Sequence, residues 1–130
     1  AVSMEALGAQ VQRFLHHRLC YHDRPVVECT ITGDVARTLS PVQALNLFRI
    51  IQEAVTNALK HAGAAHLYVQ LHAPAQGPLE VVVHDDGVFR PPAADGLSGF
   101  GLASMQHRAR ALDAELEVCT DNGTTIRVRM

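Results

Sequence analysis

Long apolar runs, paired cysteines and an excess of either charge are all missing from this 130-residue chain. No stretch approaches the roughly 20 apolar residues of a membrane-crossing helix, and no charged start followed by an apolar segment reads as a signal peptide. Cys20, Cys29 and Cys119 are odd in number and far apart. They have neither the spacing of a zinc site nor the density of a secreted disulfide framework, so reduced thiols in a cytoplasmic setting are expected. With 11 Lys and Arg against 13 Asp and Glu, the formal charge of -2 supplies no basic field for nucleic acid. Internal repeats and low-complexity tracts are also absent. The opening Ala1-Val2-Ser3-Met4 reads as a cut within a longer protein.

What is present is a chain 48% hydrophobic, long enough for one sizeable core and too short for two. Leu7, Val11, Phe14, Leu15 and Leu19 recur at helical spacing, predicting a helix from about Met4 to Cys20, with a turn around His22 to Pro25. Val26 to Thr32 reads as a strand. Ser40, Pro41 and Gln43 combine an N-cap, a first-turn proline and a capping-box partner, so a second helix starts there and runs to about His61, ended by Ala62-Gly63. Leu67 to Leu71, Leu79 to His84, Leu116 to Cys119 and Thr125 to Val128 suit strands of a half-covered sheet. Phe89 to Ser98 is a loop, and Gly99 to Asp113 returns to helix. This order indicates an α+β fold, a two-layer sandwich with a mixed sheet of about five strands and three helices on one face.

Three segments carry candidate chemistry. In Gln52-Glu53-Ala54-Val55-Thr56-Asn57-Ala58-Leu59-Lys60-His61, helical geometry gathers Ala54, Val55 and Ala58 on the apolar face and stacks Glu53 and Asn57 on the polar one. A carboxylate and a carboxamide one turn apart offer oxygens to a hard cation such as magnesium, and a general base. Lys60 and His61 add donors for phosphate. The same spacing also describes an ordinary solvated helix face. In Val81-Val82-Val83-His84-Asp85-Asp86-Gly87, a strand ends in two acids and a glycine. A carboxylate there can accept from an exocyclic amine while the glycine admits a flat ring, as adenine requires, although Asp and Gly also serve plain turns. Gly99-Phe100-Gly101-Leu102 stands where a loop becomes a helix, and free N–H groups at a helix start suit a phosphate. Its glycine spacing is not the dinucleotide pattern, and a glycine-containing loop closing on a helix is the simpler alternative.

In order and spacing the three segments resemble the N, G1 and G2 boxes of the histidine-kinase ATPase fold, shared with gyrase, mismatch-repair and chaperone ATPases. The N-box run through Ala62 and Gly99-Phe100-Gly101-Leu102-Ala103-Ser104-Met105 are similar to the nitrate-sensor and desaturase-sensor subfamily of sensor histidine kinases, in which glutamate opens the N box. The resemblance covers about Leu7 to Met130 and includes the glycine-threonine element Asn122-Gly123-Thr124-Thr125. It implies that Asn57 binds magnesium, that Glu53 is a base or orients water, and that Lys60 and His61 approach the phosphates of ATP. It further implies that Asp85, Gly87 and Thr124 form the adenine pocket, with Gly99, Gly101 and Leu102 over the phosphates. The γ-phosphoryl group would pass to a histidine on a separate dimerisation domain and on to a response regulator. The parent would be a homodimer anchored in the bacterial inner membrane, with this domain in the cytoplasm. Phe89 departs from the family, which has a second G1 glycine there.

Phe89 is also the hint for a nucleotide-binding regulatory module without phosphotransfer, and Glu53 the hint for an ATP hydrolase of the same fold. Eight histidines raise metal binding, but no pair has ligand spacing with a third partner. His16-His17 is followed by Arg18, whereas the subfamily's phosphoacceptor is followed by an acid, so both read as surface residues.

Overall fold

The computed structural model describes residues 1–20, 25–87 and 101–130. The expected turn at His22, the loop from Phe89 to Ser98 and Gly99 lie outside the described residues, as does the side chain of His61.

Helix α1 (Met4–Leu19) begins where the Ser3 hydroxyl accepts the Ala6 N–H at 3.1 Å, and it buries Met4, Leu7, Val11 and Leu15. Helix α2 (Pro41–Asn57) starts on the capping box read from sequence, with the Ser40 hydroxyl accepting from Gln43 N–H and Gln43 accepting from Ser40 N–H. Its apolar stripe of Ala44, Leu47, Phe48, Ile51, Ala54 and Val55 is buried. The expected helix to His61 changes winding: α hydrogen bonding ends at Asn57, a π turn covers Ala58–Ala62, and left-handed Gly63 closes it. Helix α3 spans Leu102–Ala111 and buries Leu102, Met105 and Ala109.

The described residues form seven strands: β1 (Val2–Ser3), β2 (Val26–Gly33), β3 (Thr38–Leu39), β4 (His66–Ala73), β5 (Glu80–Asp85), β6 (Glu115–Cys119) and β7 (Thr124–Arg129). Five make a mixed sheet in the order β2-β4-β5-β7-β6, in which only the β2–β4 pair is parallel. The remaining two, β1 and β3, form a short antiparallel ribbon absent from the sequence reading.

Alternation decides the faces. Leu67, Val69, Leu71, Val81, Val83, Ile126 and Val128 point into one core with the helices. The other face carries rows such as Glu28, Tyr68, His84, Thr125 and Cys119, read across the strand register. Lower on that face, Glu80 pairs with Arg127 at 3.7 Å and with Arg129 at 3.5 Å. This is the half-covered α+β sandwich the element order predicts. Among the described residues no helix is long and apolar enough to cross a membrane.

Candidate nucleotide site

Strand parity carries Asp85 inward. As the last residue of β5 it continues the inward series Val81 and Val83, and at 4% exposure it is the one buried charged residue among those described. Its register partners are Leu67 on β4 and Thr124 on β7. Gly87 N–H donates to Asp85 Oδ1 at 2.9 Å, folding the chain back as it leaves the strand. Burial pushes the carboxyl above the ordinary carboxylate range, against the downward pull of the Gly87 amide, of His84 and of the Thr124 amide. A buried carboxylate kept with so little compensation is costly to folding, which marks it as a candidate for binding.

The neighbouring acid does different work. Asp86 Oδ1 accepts the Ala65 and His66 amides, each at 2.9 Å, and Oδ2 meets His66 Nδ1 at 2.7 Å. The His66 amide and ring hold this exposed carboxyl down to about 2. Asp86 thus ties the end of β5 to the start of β4.

Gly123 has φ +98°, and a Cβ there would collide with the carbonyl oxygen of Asp85. The turn before β7 therefore sits against the Asp85 main chain, bringing Thr124 beside it.

On the helix side, Glu53 and Asn57 occupy successive turns of α2, and Asn57 is the last residue before the π turn. Such insertions recur at functional sites because they re-aim side chains. The Ser104 hydroxyl of α3 donates to Glu53 Oε1 at 2.8 Å. Glu53 Oε2 is buried without a hydrogen-bond partner among the described residues and lies against Gly101, where a Cβ would overlap it. Gly101, at φ +67°, is the N-cap of α3. Arg108 donates to Asn46 Oδ1 at 3.3 Å and further joins α3 to α2.

The structure therefore assembles two of the expected groups: Asp85 with Gly87 and Thr124, and Glu53 with Gly101, beside Leu102. Lys60 stands apart, exposed on the π turn. It lines a cavity of about 540 Å³ with Arg18, Pro25 and Gly63, sharing no wall with Asp85, Gly87 or Gly101. Gly99 and the ring of His61 fall outside the described residues. The sequence reading missed Ser104. Its only signal was a hydroxyl one turn beyond Gly101, since nothing local links it to Glu53.

Residues 42–130 match the family described as histidine kinase-, DNA gyrase B-, and HSP90-like ATPase. The chain belongs to this family. The ATPase domain is 31% identical over 97 residues to the sensor protein NarQ homolog of Haemophilus influenzae, covering 73% of this chain and 17% of that protein. It is 42% identical over 89 residues to an uncharacterized sensor-like histidine kinase of Chloroflexus aurantiacus, covering 63% of this chain and 15% of that one. The histidine kinase domain of a blue-light activated histidine kinase from Erythrobacter litoralis superposes with a TM-score of 0.70 at 26% identity, covering 95% of this chain and 60% of that one. In family and fold this is the ATP-binding catalytic domain of a sensor histidine kinase. The chain spans about a sixth of the length of these two curated relatives.

Proposed function

We propose that the domain binds MgATP with adenine against Asp85 and transfers the γ-phosphoryl group to a histidine on a separate dimerisation domain of its parent. Asp85 carries this reading, because it is a buried carboxylate with an oxygen to offer an exocyclic amine. Gly87 leaves room for the ring, and Thr124 borders the same pocket. The phosphates extend toward Gly101 and the start of α3 at Leu102, whereas Lys60 faces a separate cavity. Magnesium suits this end of the site. Glu53 Oε2 is a buried oxygen without a donor among the described residues, and the Asn57 amide stands one turn away. Bound there through Asn57, the ion would neutralise phosphate charge. Glu53 then serves as the base or orienting carboxylate toward the incoming histidine, and the rest of the catalysis is placement.

The phosphoryl group would continue to a response regulator, and the parent is a homodimer anchored in the bacterial inner membrane through other segments. A second reading, ATP hydrolysis, is favoured by that same Glu53 oxygen, which has no donor among the described residues and suits holding a water.

The test separates Glu53 from Asn57. Asn57→Ala weakens magnesium-dependent ATP binding and transfer together, whereas Glu53→Gln keeps binding and slows chemistry. MgATP titration in parallel with product analysis in the full-length parent reads both effects. Wild-type behaviour in both variants would reduce the pair to a solvated helix face, and free phosphate as sole product would favour hydrolysis.

A further inference from the structure

We infer that Ser104 is a positioning residue for Glu53, fixing the plane of the carboxylate so that one oxygen is held while the other is left to the site. The inference rests on the reading of Glu53 given above. A glutamate carboxylate turns about a broad, nearly two-fold terminal torsion, so a helix alone leaves its two oxygens interchangeable. Here they are not equivalent. Oε1 accepts the Ser104 hydroxyl at 2.8 Å, and Oε2 is buried beside Gly101 with no donor to it among the described residues. Tilting the group out of this plane would break the serine contact, and Oε2 lies where a side chain at position 101 would stand.

Ser104 belongs to the first turn of α3, where serine commonly bonds its own backbone. Its donation across to α2 instead makes the orientation of Glu53 depend on that turn. The first turn of α3 follows directly from Gly101, so the segment proposed to cover the phosphates also sets the carboxylate. Glu53 is therefore held correctly only when the start of α3 is in place.

The experiment is steady-state autophosphorylation of the full-length parent, with nucleotide affinity and thermal midpoint measured on the same variants. Ser104→Ala is expected to lower kcat about threefold to tenfold, the range of one ordinary hydrogen bond, with KM for ATP and the midpoint little changed. Ser104→Thr, which keeps the hydroxyl, restores kcat. In a Glu53→Ala background the Ser104→Ala effect disappears, because no carboxylate remains to be held. A kcat loss that threonine does not restore, or that persists without Glu53, would overturn the inference. Normal turnover in Ser104→Ala beside slowed turnover in Glu53→Ala would overturn it alone. Full turnover in Glu53→Ala would overturn the role of Glu53 and this inference with it.

Discussion

Asp85→Asn should move nucleotide affinity and stability in opposite directions. The substitution keeps shape, and an amide oxygen can still accept the Gly87 N–H now received at 2.9 Å. What changes is the charge and one acceptor, which becomes an NH₂ donor facing the amino group assigned to adenine. Loss of a charge-assisted hydrogen bond costs about 1.5–3 kcal/mol. At about 1.4 kcal/mol per tenfold, Kd for ATP and ADP should rise together by about 12- to 150-fold. Both nucleotides lose equally because the contact is at the base. The nucleotide-free protein should respond in the other direction. Burial raises the Asp85 carboxyl above its ordinary 3.8, so the folded state holds this proton more tightly than the unfolded chain. Ionisation at neutral pH therefore opposes folding, and the penalty fades as pH falls toward 3.8. Asp85→Asn removes it and should raise the thermal midpoint at pH 7, with the gain shrinking in acid. Calorimetric titration and nucleotide-free melting curves read the two effects. Unchanged affinity for both nucleotides would refute the adenine assignment, and a lowered midpoint at pH 7 would refute the burial argument.

Two further substitutions probe the frame around that carboxylate. Gly123→Ala forces a side chain into φ +98° and onto the Asp85 carbonyl, so it should cost about 1–3 kcal/mol and weaken ATP binding, read by urea unfolding and titration. A neutral outcome would mean the turn can move away from β5. Asp86, held down to about 2, contributes stability that is fully present above its ordinary 3.8 and is lost as pH falls toward 2. The gap in unfolding midpoint between wild type and Asp86→Asn should be constant near neutrality and close in acid; a gap unchanged at pH 2 would contradict the His66 clamp.

Local signals were the legible ones. Ser40, Pro41 and Gln43 announce the start of α2 because every partner of the capping box lies within four residues. Strand alternation was equally plain over Leu79 to His84, but only the structure carries the strand one residue further and so puts Asp85 with Val81 and Val83 on the inner face. The β1–β3 ribbon was not readable, since two-residue strands show no period and depend on pairings between distant positions, Val2 with Leu39 and Ser3 with Thr38. The π turn after Asn57 has the same apolar spacing as an α-helix. Ser104 and Glu53 meet only through the packing of α3 on α2, a separation of 51 residues that no local pattern encodes.

The most direct measurement follows label from γ-phosphate-labelled ATP with magnesium into the full-length parent. Acid-labile, alkali-stable label on a histidine outside this domain, lost in Asp85→Asn at limiting ATP, is the expected result. Label released only as inorganic phosphate, or retained entirely in ATP, would contradict phosphotransfer.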